Sequence, residues 1–67
     1  MKLIDQKWNP HLSKYDRTWL ADTAEELTAD FDPNSASGSA VIVISTGDTY
    51  MKNTVDKWQK IGTTEVI

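Results

Sequence analysis

The sequence predicts an α+β domain: a small antiparallel β-meander with one short helix. Three observations lead there. Val41 to Ile44 is a run of consecutive β-branched residues, which suits a pleated strand and disfavours a helix. Gly47-Asp48 follows that run and has the chemistry of a two-residue type II′ hairpin loop. Thr23 with Glu26 three positions later has the form of a capping box, which opens a helix.

Taken in order, Met1 to Lys14 scatters Leu3, Ile4, Trp8 and Leu12 among polar residues with no period of a helix or strand. Asn9-Pro10 breaks it further, because a residue before proline is pushed out of the helical region. Residues 1–14 therefore read as an N-terminal arm with a short extended piece at Lys2 to Ile4, ordered against a partner or loose as termini often are. Residues 15–67 read as the domain. Tyr15 to Ala21 contains Thr18 and Trp19 and reads as a short strand. The helix is expected from Thr23 to Ala29, its acidic first turn suiting the helix dipole. It is too short to persist alone, so Leu27, Ala24 and Phe31 must hold it by packing.

Asp32 to Ser39 carries Pro33, Asn34, Gly38 and several serines and reads as a surface loop. Ala40 to Thr46 is the main strand, apolar on both faces and hence central or covered on both sides. A hairpin at 46–49 puts Ile44 opposite Met51 and Ile42 opposite Asn53, with Thr49 to Asn53 as the returning strand. Thr54 to Lys57 is a turn and Trp58 to Ile61 a third strand. Glu65 to Ile67 is a frayed tail or one more edge. The expected core is Leu27, Ile42, Ile44, Met51 and Trp58.

The chain has 67 residues, no cysteine, a single histidine (His11) and a net charge of −3. That length suits one domain, and a domain so small buries a modest share of its surface. Small domains gain stability from disulfides, metals or partners. Disulfides and Cys- or His-rich metal sites are excluded by composition, and no calcium-loop spacing is present. A partner is left, and three tryptophans fit a chain that meets other surfaces. There is no basic run of the kind that binds nucleic acid. Ala40 to Ile44 is far shorter than the roughly 20 residues of a membrane-spanning helix. Met1 to Gln6 lacks the apolar core of a secretion signal, so synthesis in the cytosol is expected.

No chemistry-bearing constellation emerges. Asp22, Glu25 and Glu26 are explained by helix capping. His11, with Asp5, Asp16 and Ser13 nearby, sits in a segment ill suited to the buried geometry of a triad. No phosphate-loop motif occurs. No enzyme activity and no cofactor are expected. The candidate partner-binding residues are Leu3, Trp8, Trp19 and Tyr50. Trp8 has few core-forming neighbours and reads as an anchor, whereas Trp19 and Tyr50 fit either core or surface.

The stretch Ala21 to Ile61 resembles a pattern in small accessory proteins of tailed phages and prophages. Its carriers are ADTAEEL, then a Pro/Ser loop, then GSAVIVISTGDTYMKNTVDKWQKI. The matching residues are Gly38, Ser39, Thr46, Gly47, Asp48, Tyr50, Met51, Asn53, Trp58 and Ile61. The resemblance implies a head-fibre, decoration or tail-accessory component of the virion, made in the host cytoplasm. It implies docking on a phage capsid or tail protein, or on further copies of the chain as a homo-oligomer, through the arm or a sheet face. Two rival readings rest on the residues alone: a small module that binds host-surface glycan, and a cytosolic regulator that binds one protein.

Overall fold

A computed structural model describes all residues, Met1 to Ile67. The chain is mostly β: a five-stranded mixed sheet in sequential order. The strands are β1 (Lys2–Asn9), β2 (Lys14–Ala21), β3 (Ala40–Val43), β4 (Thr49–Lys52) and β5 (Trp58–Lys60). β1 and β2 form an antiparallel hairpin, and β3, β4 and β5 an antiparallel meander. β2 and β3 run parallel.

The β3–β5 meander is antiparallel as expected, while the parallel β2–β3 pair makes the sheet mixed rather than purely antiparallel. Parallel neighbours need a crossover of a dozen or more residues, and residues 22–39 supply it. They also supply the cover for one sheet face. Leu27 from the crossover is buried with Ala21, Val41, Val43, Tyr50 and Trp58, and Trp19, Ala24, Phe31 and Ile67 pack around them. Alternation along each strand explains the set. Trp19 and Ala21 on β2 lie beside Val41 and Val43 on β3, and Val41 beside Tyr50 on β4.

The expected helix is reduced to one 3-10 turn, Ala24–Glu26. The capping contact is present, since Glu26 Oε2 accepts the Thr23 N–H at 2.9 Å. Leu27 then leaves the helical region for extended backbone, which delivers its side chain to the core. A cap alone does not propagate a helix when the next apolar residue gains more from burial elsewhere.

The crossover's last part is no surface loop. Ser35, Ala36 and Ser39 are buried. Tyr15 N–H donates to Asn34 O at 3.0 Å and Ala36 N–H to Tyr15 O at 2.8 Å, while Lys52 N–H donates to Ser39 O at 2.9 Å. This segment thus prolongs the β3 slot between β2 and β4 without regular strand geometry. Small side chains permit that close approach.

The β3–β4 register also differs from expectation. Met51 faces Ala40 rather than Ile44, and Ile42 faces Thr49 rather than Asn53. The chain leaves β3 at Val43, whose N–H donates to Asp48 O and whose carbonyl accepts from Gly47 N–H. Gly47 closes this wider loop at φ +75°, a region glycine occupies freely. Ile44 and Ser45 donate instead to the Ala21 and Asp22 carbonyls, at 2.9 and 3.1 Å, continuing beside β2. The partner of Ile42 moves by four residues, an even number, so Ile42 and Met51 still share one face; the crossover covers the opposite face. Val41 and Val43 are therefore core, while Ile42, Ile44 and Met51 are exposed. Leu27 and Trp58 are buried as expected.

Residues 1–14, expected as an arm, form the edge strand β1 and its turn into β2, with a bulge between Leu3 and Asp5. At the other edge the last residues fold back on β5. Gln59 bridges Val66, and Ile67 N–H donates to Trp58 O at 2.9 Å.

Candidate docking surfaces

Because the crossover covers one sheet face, the alternate residues of β2, β3 and β4 face away from the core. Leu20 lies directly beside Ile42, and Ala40 directly beside Met51. Ile42 and Met51 are each 37% exposed, and Ile44 extends the stripe at 55%. Met51 also borders a shallow depression of about 160 Å³ with Asn53, Gln59, Ile61 and Gly62. Thr18 and Thr49 complete the face with hydroxyls. Contiguous exposed apolar residues are where a partner surface would gain most by burial, which makes this face a candidate.

The second surface is the edge strand. Trp8, Leu3 and Ile4 are all exposed on β1, Trp8 at 50%. Trp8 meets Tyr15 edge-on with ring centroids 5.0 Å apart, which fixes its ring and leaves much of it open to a partner. Leu3 and Trp8 are therefore placed where a partner reaches them.

The other two sequence candidates are not so placed. Tyr50 is a core residue. It lies opposite Val41 on the covered face, the core alternative of the two left open for it. Trp19 is half-buried. Its Nε1 donates to Asp32 Oδ2 at 2.9 Å, and its ring meets Phe31 edge-on at 5.1 Å. Trp19 belongs to the fold.

The largest cleft, about 470 Å³, is lined by Lys14, Phe31, Pro33, Lys52, Asp56 and Lys57 among others. Lys52 is the one group there with perturbed chemistry. Burial pushes its pKa below the ordinary 10.5, and the nearby Lys14 charge pushes it the same way. A depressed lysine in a cleft resembles a nucleophile or base. Here, however, Nζ donates to Asp32 O at 3.0 Å, Ser35 O at 3.2 Å and Ser35 Oγ at 3.0 Å. All three donors are committed, so Lys52 fastens the crossover to β4. Every buried side-chain nitrogen and oxygen has a hydrogen-bond partner, and no three His, Asp or Glu side chains converge as metal ligands.

The remaining polar residues weighed from sequence are dispersed. Glu26 caps the 3-10 turn and touches the Met1 amine at 2.6 Å. His11 is exposed in the β1–β2 turn, where its N–H donates to Asn9 Oδ1 at 3.0 Å. Leu20, Ile42 and Met51 were absent from the sequence candidates as surface residues. The signal was present in a strand apolar on both faces, since only one face becomes core. No helix is long and apolar enough to cross a membrane. Comparison with protein-family models, curated proteins and solved structures finds no match to the chain.

Proposed function

We propose that the chain is a non-enzymatic structural or accessory module of a tailed-phage virion, docking on a capsid or tail protein through its open sheet face. The observation that carries this reading is the apolar stripe of Leu20, Ile42 and Met51 left uncovered on a domain with a small core. Burying such a stripe stabilises association by about 25 cal/mol per Å² of apolar surface removed from water. Binding to a partner also stabilises a marginal domain by mass action. The resemblance of Ala21 to Ile61 to small virion accessory proteins supplies the partner class.

The test is mass spectrometry of purified particles from the phage or prophage that encodes the chain. The protein is expected in the particles at a fixed copy number. An Ile42→Asp, Met51→Asp double variant is expected to fold and to be missing from them. Particles that lack the wild-type chain altogether would refute the virion reading. Particles that keep the double variant would refute the open face as the docking surface.

The exposed Trp8 favours a second reading, a host-surface glycan stacked on the indole. It requires a change in tryptophan fluorescence on adding cell-wall glycan, abolished by Trp8→Ala.

A further inference from the structure

The two ends of the sheet are treated differently by the chain. Beyond β5, the Glu65–Ile67 tail pairs back onto the strand, with Lys60 N–H donating to Glu65 O and Ile67 N–H to Trp58 O, both at 2.9 Å. Beyond β1 there is nothing. An uncovered edge presents unpaired N–H and C=O groups, and those groups are a template for another strand.

The orientation of those groups follows from β2. Tyr15 and Arg17 direct their N–H groups away from β1, to Asn34 O and Ser39 Oγ. Lys14, Asp16 and Thr18 therefore bond to β1, where they face Asn9, Lys7 and Asp5. Gln6 and Trp8, opposite Arg17 and Tyr15, turn their backbone groups to the open side.

Charge then selects a partner. Asp5 and Lys7 flank Gln6 and enter none of the chain's ion pairs. Set a second β1 antiparallel against the first, with Gln6 opposite Gln6. Asp5 of each copy now faces Lys7 of the other, twice over. Trp8 of each copy then approaches the bulge of the other at Leu3–Ile4, bringing exposed apolar side chains together. Sliding the strands by two residues keeps the hydrogen bonding but sets Asp5 against Asp5 in one direction and Lys7 against Lys7 in the other. Like charges directly opposite are unfavourable, and opposite charges favourable. A single register satisfies both the backbone and the charges, and it is two-fold symmetric as a homodimer requires.

We propose that the chain self-associates through β1 as an antiparallel, two-fold homodimer centred on Gln6, joining two sheets into one. This surface is separate from the open face and does not depend on the virion reading. It also leaves both open faces on the same side of the joined sheet.

The experiment is sedimentation velocity on the full chain, the Asp5→Lys variant, the Lys7→Asp variant and their equimolar mixture. The wild type is expected to dimerise. Each single variant places like charges opposite each other twice and is expected to raise the dimer dissociation constant about ten-fold or more. The mixture places opposite charges in both pairs again and is expected to recover wild-type affinity as a heterodimer, which also shows that both variants fold. Because the chain has no cysteine, Gln6→Cys gives a register test. Directly opposite residues of a hydrogen-bonded pair stand about 5.5 Å apart between Cα atoms, within disulfide reach. Oxidation should link Gln6→Cys chains and leave Asn9→Cys chains unlinked. A wild type that stays monomeric to millimolar concentration overturns the proposal. So do single variants that dimerise as well as the parent, a mixture that fails to recover, or linkage at Asn9→Cys in place of Gln6→Cys.

Discussion

Asp32 holds Arg17 by a 2.6 Å contact between Oδ1 and Nη1, with both side chains largely out of water. The same carboxylate accepts from Trp19 Nε1 through Oδ2. Asp32 sits at φ +48°, a conformation that aspartate and asparagine tolerate better than most residues. One residue thus turns the crossover and ties it to β2. Asp32→Asn keeps the shape and the turn but removes the charge, and is expected to cost about 1–3 kcal/mol. Asp32→Ala leaves the Arg17 guanidinium without its counter-charge and is expected to cost about 3–5 kcal/mol. Urea denaturation of the three proteins checks the order. Equal midpoints for all three would mean that the ion pair contributes nothing to the fold.

Lys52 makes stability depend on alkaline pH. Burial lowers its pKa in the folded chain relative to 10.5. The unfolded chain therefore holds this proton to higher pH than the folded one. The cost of charging Lys52 is fully present below the folded value and is relieved as pH rises from there toward 10.5. Wild-type stability minus that of Lys52→Met, from denaturant midpoints at a series of pH values, is expected to rise over that interval. A difference flat from neutral pH to 10.5 would show that folding does not perturb the group.

Adjacent residues of the β3 end should respond in opposite ways. Val43 is fully buried, and Ile44 is 55% exposed on the open face. Val43→Ala removes two buried carbons' worth of packing and is expected to cost about 2–3 kcal/mol. Ile44→Ala is expected to stay within about 0.5 kcal/mol of the parent. A reversed order in thermal melts would mean that Ile44, and not Val43, points into the core.

Strand positions were largely legible because they depend on local chemistry. The β-branched run from Val41, the aromatic stretch around Trp19 and the turn at Thr54 to Lys57 each carry their own signal. Leu27 and Trp58 were legible as core for a similar reason, being bulky apolar residues among polar neighbours. The inward face of β3 was not legible. Val41 to Ile44 is apolar on both sides, so alternation cannot choose between Val41 with Val43 and Ile42 with Ile44. The choice is made by distant groups. Tyr50 and Lys52 accompany the two valines inward, and Lys52 is tolerated there only because the crossover brings the Asp32 and Ser35 carbonyls to its ammonium. Backbone carbonyls leave no trace in a residue pattern. β1 was missed for a related reason. Its bulge between Leu3 and Asp5 interrupts the period of two that marks a strand, and most of its residues are exposed, so burial imposes little apolar order. Of the partner candidates, Leu3 and Trp8 are accessible, whereas Tyr50 is spent on the core.

Amide hydrogen exchange separates an ordered β1 from a loose arm residue by residue. The core contains no β1 side chain, so β1 is held by its ladder to β2, the Trp8–Tyr15 contact, and hydrogen bonds from Arg17 Nε to Gln6 Oε1 at 2.8 Å and from Asn9 Nδ2 to the Asp16 carboxylate at 3.4 Å. Local opening free energies range from near zero at frayed edges to the global value in core strands. In dilute protein, Val43 N–H, bonded to Asp48 O beneath the crossover, is expected to be among the slowest amides to exchange. Lys7 and Asn9, which face β2, are expected to show intermediate protection. Gln6 and Trp8, with N–H groups on the open side, are expected to exchange almost freely. That alternation within one strand is a signature no disordered arm produces. Uniformly fast exchange from Lys2 to Asn9 would return the segment to an arm. Raising the protein concentration should slow Gln6 and Trp8 while leaving Val43 unchanged, because β1 pairing covers the first two and adds nothing over the third.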